Sequence, residues 1–220
     1  MKERGMIFNA EMVRAILDGR KTQTRRPIKW KQTRFTEIAE RDDGSLWPWT
    51  EDCERGGDIW FACPYGEIGD RIWVRETFRV HSRATDVATL VYRASVRNSW
   101  TEQTHRVPVA VCNKPATADK WTPSIHMPRW ASRILLEITD VRVERLHSIS
   151  ERDALREGLF QLPASGRYCL QPGMQYFGMA SHSAKEVYSW LWASVYGEES
   201  WAANPWVWVI EFKRVEGGAA

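Results

Sequence analysis

Gly19-Arg20-Lys21-Thr22-Gln23-Thr24-Arg25-Arg26-Pro27 is the stretch on which the reading of this chain turns. Ahead of it, Asn9 can cap a helix starting at Ala10, and Met12, Val13, Ile16 and Leu17 share one face at helical spacing. Gly19 then supplies a left-handed stop, and Pro27 bars any helix from continuing beyond Arg26. The basic segment is therefore predicted to be a turn that leads into a strand. Arg20, Lys21, Arg25 and Arg26 cluster here although the net charge is only +3, too small to imply polyanion binding by itself. Short basic runs are mostly solvated faces, so position has to decide what this one does.

Downstream, residues 30–66 are polar and punctuated by Asp42-Asp43-Gly44, Trp47-Pro48-Trp49 and Gly56-Gly57-Asp58, which reads as an insertion or long hairpin. Gly69-Asp70 opens a half-buried strand from Arg71 to Phe78, and Val87 to Tyr92 supplies another. Ile134 to Ile138 and Val141 to Leu146 are strand candidates separated by Thr139-Asp140, fitting one bent strand or a hairpin. Ser150 caps a short helix to about Arg156, with Glu157 at its exit and Gly158 past its end. Residues 160–181 read as a second variable loop. Ser183 and Glu186 form a capping box for a helix carrying Val187, Trp190 and Leu191, closed by Gly197. Trp206 to Phe212 is the last strand, and 217–220 reads as a frayed tail.

Several strands with three helices exclude a Rossmann-type alternation, and neither a dinucleotide fingerprint nor a P-loop is present. The expected class is α+β: a β-barrel with peripheral helices. At 220 residues and 43% hydrophobic, the chain has enough material for one substantial core, so a single domain over 1–220 is expected. The N-terminus lacks the apolar run of a secretory signal, and Trp206-Val207-Trp208-Val209-Ile210 falls far short of the roughly 20 residues of a membrane span. A cytoplasmic protein without membrane partners is expected.

Cys53, Cys63, Cys112 and Cys169 form no C-x-x-C pair, and His105, His126 and His182 stand apart, so neither a metal nor a cofactor is expected. The 13 tryptophans are far above ordinary usage. Trp73, Trp206 and Trp208 sit in alternating strand patterns and read as structural. Trp47 and Trp49 lie in polar, Gly- and Pro-containing sequence; they either pack a loop onto the barrel or stack on bases.

The helix followed by Gly19 to Arg26 resembles the opening motif of ASCH domains, a PUA-like family that includes the bacterial N4-acetylcytidine amidohydrolases. Gly69-Asp70-Arg71-Ile72-Trp73-Val74-Arg75-Glu76 is similar to the second family strand, Ile149 to Gly158 to the helix after the central strands, and Trp206 to Phe212 to the closing strand. Residues 30–66 and 160–181 look like elaborations, as in the longer phage and prophage members. The resemblance implies a PUA-like β-barrel with two long loop insertions. It also implies Lys21 as proton acceptor, Thr24 as nucleophile and Glu157 as proton donor for cleaving an amide on a modified nucleoside.

A threonine hydroxyl needs a base, and a lysine at its ordinary pKa of ~10.4 is protonated and useless as one. Lys21 therefore needs burial, with Arg20, Arg25 and Arg26 nearby to disfavour its ammonium form. Lys21 and Thr24 converge only if the segment turns, since an odd separation sends them to opposite faces of a regular strand. Arg20, Arg25, Arg26 and Arg75 are the candidate phosphate contacts. Arg75 and Glu76 are alternatively partners in an ion pair. Ser124 to Trp130 resembles a segment of the longer members, which makes His126 and Arg129 second-rank cleft residues together with Glu76, Trp47 and Trp49. Three functions fit: an amidohydrolase of an acylated nucleoside, a noncatalytic reader of RNA or modified DNA, and a nuclease.

Overall fold

The computed structural model describes residues 1–30, 37–52, 54, 56–96 and 98–215, apart from the side chain of Glu102. Its elements begin with β1 (Glu3–Ile7), α1 (Ala10–Leu17), β2 (Gln23–Pro27), β3 (Glu37–Glu40), β4 (Leu46–Glu51), β5 (Asp58–Trp60), β6 (Arg71–Arg75), β7 (Phe78–Arg83) and β8 (Val87–Tyr92). They continue with α2 (Trp100–Gln103), β9 (Thr104–Pro108), β10 (Leu135–Arg145), α3 (Glu151–Arg156), β11 (Phe160–Gln161), β12 (Tyr168–Cys169), α4 (Ala184–Tyr196), α5 (Glu198–Ala202) and β13 (Trp206–Arg214). The class is α+β, mostly sheet with a few helices, and no described helix is long and apolar enough to cross a membrane. The chain divides into two compact units whose stretches alternate in sequence. Met1–Gly19, Gly69–Glu137 and the chain from Lys213 form the first; Arg20–Ile68 and Ile138–Phe212 form the second.

In the first unit β1 runs parallel to β6, with Gly5 opposite Trp73, and the start of β10 joins β6 antiparallel. Strands β7, β8 and β9 form an antiparallel sheet, with a register shift at His81 that bulges β7. Phe78, Val80, Leu90 and Tyr92 from this sheet bury against Met127 and Ala131, and the Tyr92 hydroxyl donates to the Ala131 carbonyl at 2.8 Å. Helix α1 starts where Asn9 Oδ1 accepts from the Met12 N–H at 2.8 Å, and it buries Val13, Ala15 and Ile16. Gly19 ends that turn at φ +73°, a conformation that carries little strain only for glycine.

In the second unit β2 pairs antiparallel with β13, Thr24 opposite Ile210 and Arg26 opposite Trp208. Val207 to Ile210 are all buried, so this strand is covered on both faces and its apolar run does not alternate. Ser150 caps α3 by accepting from the Asp153 N–H at 3.1 Å, and α3 packs against both α4 and β2. Ser183 accepts from the Glu186 N–H at 3.2 Å to start α4, which buries Val187, Tyr188, Leu191 and Trp192.

Four expectations change. No closed barrel is present among the described residues: β3-β4-β5, β7-β8-β9 and β11-β12 are separate open ladders. The insertion at 30–66 is a three-stranded sheet of its own: Asp42-Asp43-Gly44 and Gly56-Gly57 turn between pairing strands, whereas Trp47-Pro48-Trp49, expected as a turn, lies inside β4; positions 31–36, 53 and 55 lie outside the described residues. The loop at 160–181 contains the β11–β12 hairpin, fastened by mutual backbone bonds between Tyr168 and Ser181, with Tyr168 and Cys169 buried. The expected strand from Arg71 to Phe78 is two strands, broken at Glu76-Thr77, whereas Leu135 to Arg145 is one continuous strand. Residues 217–220 fall outside the described residues.

Gly5 lies close under its neighbours: a Cβ there would stand 2.5 Å from Cζ2 of Trp73 and 2.9 Å from Cδ of Arg75. Gly5→Ala should therefore destabilise the protein by about 1–3 kcal/mol, the usual cost of overpacking. Urea unfolding measures it, and an unchanged midpoint would mean that the indole swings aside freely.

Candidate functional site

Lys21 lies between the end of α1 and the first residue of β2, and backbone bonds fasten this short segment to the end of α3. The Thr22 N–H donates to the Arg156 carbonyl at 2.9 Å, and the Thr22 carbonyl accepts from the Phe212 N–H at 2.9 Å. The next residue of α3 is its C-cap, Glu157. The Lys21 ammonium donates to the Glu157 backbone carbonyl at 2.9 Å and to its carboxylate Oε2 at 2.7 Å. Both side chains are essentially sealed from solvent, 0% and 2% exposed.

Burying two charges costs several kcal/mol for each ion unless further groups compensate, and here Arg25 does so. Its Nη1 lies 3.4 Å from Glu157 Oε1, and its Nη2 lies 3.0 Å from Glu144 Oε2 and 3.5 Å from Asp153 Oδ2. Arg142 extends the network: Nε donates to Glu144 Oε1 at 2.6 Å, and Nη1 to Asp140 Oδ2 at 2.9 Å and Glu211 Oε1 at 2.8 Å. Arg156 shares Glu211 at 3.0 Å.

These surroundings move protons. Burial holds the Lys21 pKa below its ordinary 10.5; Glu157 works against that shift, and the nearby Arg26 and Arg25 charges add to it. Burial also works to lower the Arg25 pKa, but Glu157, Tyr188 and Glu144 outweigh it and raise the value. Tyr188 is pushed well above the ordinary phenol value, by burial first and then by the Glu157 charge. Asp153 loses solvation on burial, yet its bond from Ser150 and the charges of Arg25 and Arg142 hold its pKa below the usual range.

Of the residues singled out from sequence, Lys21, Glu157 and Arg25 come together. Thr24 is buried on β2, where alternation puts it on the same face as Arg26 and opposite to Arg25. Lys21 precedes the strand, so that alternation does not govern its direction. Arg25 is not a surface phosphate contact, because its charge is answered by three carboxylates inside the protein. Arg20 donates to the Gly158 carbonyl at 2.6 Å and lies over the Phe160 ring, while Arg26 reaches the Tyr196 hydroxyl at 3.4 Å. Trp47 packs edge-on against Trp208, donates from Nε1 to the Phe61 carbonyl at 2.7 Å and carries Arg41 on its ring. Trp49 is half-buried and packs near Trp60.

The other candidates belong to the first unit. Arg75 donates to the carbonyls of Ser124 and Ile125, not to Glu76. Glu76 is paired with Arg133, at 2.9 Å and 3.1 Å, since neighbours at a strand end point to opposite sides. His126 is exposed in a 3-10 turn, and Arg129 pairs with Glu3 at 2.8 Å on the surface.

Sequence reasoning missed Glu144, Asp153 as a partner of Arg25, Arg142, Glu211 and Tyr188. One signal was available: Asp140, Arg142 and Glu144 occupy alternate positions of one strand, which places three charges on a single face. Among the described residues no group of three His, Cys, Asp or Glu side chains is disposed to hold a metal ion. Comparison with known protein families, with curated proteins and with solved structures finds no match.

Glu157→Gln strips the Lys21 ammonium of its carboxylate and should cost about 3–5 kcal/mol of stability. Lys21→Met leaves Glu157 beside Arg25 and should cost less, and the double substitution should cost less than the sum of the two. Urea titrations of the four proteins test this, and strict additivity would dissolve the pair. The linkage has a definite sign: with the folded pKa of Lys21 lowered, the unfolded chain binds more protons, so stability should rise as pH climbs from the folded value toward 10.5. Lys21→Met should remove that rise.

Proposed function

We propose that this chain is a cytoplasmic, PUA-like protein of ASCH type that removes an acyl group from the exocyclic amine of a modified nucleoside, an N4-acetylcytidine-like substrate. The observation that carries the reading is the buried Lys21–Glu157 pair, joined by a 2.7 Å hydrogen bond, with the Lys21 pKa lowered by burial.

Burial disfavours the Lys21 ammonium, and the proposed reactive state is the neutral pair, in which the proton has crossed the 2.7 Å hydrogen bond to leave an amine beside a carboxylic acid, the base and acid that amide cleavage requires. In the proposed step Lys21 Nζ takes the Thr24 hydroxyl proton as Thr24 Oγ1 bonds to the acyl carbon. The carbon–nitrogen bond breaks, and Glu157 delivers its proton to the departing nitrogen. Water then attacks the acyl-threonine ester; the acid leaves, and a proton returns to the Thr24 oxygen. Because Lys21, Thr24 and Glu157 are all closed to solvent, substrate admission requires a local opening. The same burial argues against a reader in which Lys21 and Arg25 only neutralise phosphates, since neither side chain exposes surface to a polyanion.

The purified protein without added metal should release acetate from N4-acetylcytidine, followed by chromatographic separation of acylated and free nucleoside. Lys21→Arg keeps the charge but cannot act as a base, and should lower the rate by roughly 10²–10⁴-fold. With wild type, the rate should rise with pH along a limb centred below 10.5, as the Lys21 amine is freed. Turnover that survives Lys21→Arg would end the assignment of Lys21 as base.

A further inference from the structure

Beyond the end of β2 lies a cavity of about 350 Å³, whose lining includes the aromatic residues Trp30, Phe61 and Tyr65 together with the almost wholly buried Trp208. Its volume falls at the small end of the ~300–1,000 Å³ typical of small-molecule sites. The walls are set in advance. Trp208 is held edge-on by Trp47, the Phe61 carbonyl accepts from the same Trp47 indole, and Pro27 and Pro48 stiffen the backbone around it. Trp30 stands at the rim, 45% exposed, and Lys29 is the charged residue of the lining among those described.

The position of the cavity ties it to the candidate site. Trp208 is the register partner of Arg26, and cross-strand partners share a face, so Trp208, Arg26 and Thr24 lie on one side of the β2–β13 ladder. Thr24 and Pro27 are three residues apart on the strand, a span of roughly 10 Å. Tyr65 senses the Arg26 charge, and burial keeps its phenol protonated, hence a hydrogen-bond donor.

We infer that this cavity seats the base of a nucleotide between aromatic walls, with Lys29 meeting its phosphate. Aromatic rings and proline faces suit a flat heterocycle, whose two faces stack while its edge keeps polar atoms for Tyr65. An aliphatic ligand would leave the Tyr65 hydroxyl and the Lys29 ammonium unused. Six of the lining residues, Trp30, Pro48, Phe61, Ala62, Pro64 and Tyr65, come from the 30–66 elaboration, so that segment builds a recognition wall beside β2. Calling the ligand a nucleotide rests on the proposed function; the stacking site itself rests on the cavity.

The test is calorimetric titration of the full-length protein with cytidine 5′-monophosphate, cytidine and ribose 5-phosphate, alongside the acetate-release assay. Cytidine 5′-monophosphate should bind, and ribose 5-phosphate should not. Trp30→Ala removes one exposed ring without touching the core and should weaken the nucleotide by roughly tenfold or more. Lys29→Ala should weaken the nucleotide while leaving cytidine unchanged. Ribose 5-phosphate binding as well as the nucleotide, or nucleotide affinity indifferent to Trp30→Ala, overturns the inference, even if acetate is released. Base-dependent, Trp30-sensitive binding without any acetate release keeps this site and defeats the hydrolase reading.

Discussion

An ammonium group with no exposed side-chain surface, bound to a carboxylate with almost none, is the constraint around which the second unit is built. Neither Lys21 nor Glu157 is tolerable there alone, since an isolated buried charge costs far more than a typical domain's margin of stability. The backbone bonds of Thr22 to Arg156 and Phe212 hold the two residues at the required separation. Arg25 then adds a second cation to a site that already has one, and Glu144 and Asp153 answer it. Each layer outward is more exposed, from Lys21 at 0% to Arg142 at 29%, so the network ends where water takes over the screening.

The alternation of β2 divides the work of the strand. Gln23 and Arg25 face the carboxylates, while Thr24 and Arg26 lie on the side of Trp208. Successive side chains of a pleated strand point to opposite sides, so Arg25 reaches the carboxylates while Thr24 and Arg26 share the side of Trp208 although they alternate with it in sequence. The first unit shows the same separation at Arg75 and Glu76. Arg75 binds two backbone carbonyls, whereas Glu76 takes Arg133, whose guanidinium also reaches Ser95 and stands 4.0 Å from the centre of the Tyr92 ring.

Local rules made the caps and stops readable. Asn9, Ser150 and Ser183 each accept a bond from a backbone N–H three residues on, and Gly19 and Gly158 adopt left-handed φ after α1 and α3. These are interactions within one or two turns, so the residue type and its spacing suffice. The insertion at 30–66 was visible as a change of composition, yet its hairpins were not, because strand pairing depends on which neighbours meet rather than on each strand's own sequence.

What the amino-acid sequence determined by itself was the α+β class, the positions of α1, α3, α4, β2, β6, β8, β10 and β13, and the basic turn at 19–27 as the region of interest. The tertiary structure alone decided the partners. Lys21 and Glu157 stand 136 residues apart, and no spacing rule shows that they share a 2.7 Å bond or that Arg25 is enclosed by three carboxylates. Likewise, composition nominated Trp47 and Trp49 for stacking, but Trp47 is packed on the buried Trp208 and bonded to the Phe61 carbonyl, while the cavity beyond β2 is edged by Trp30, Phe61 and Tyr65. Exposure is a property of the folded surface: a ring is free for a ligand only where the chain has brought nothing else against it.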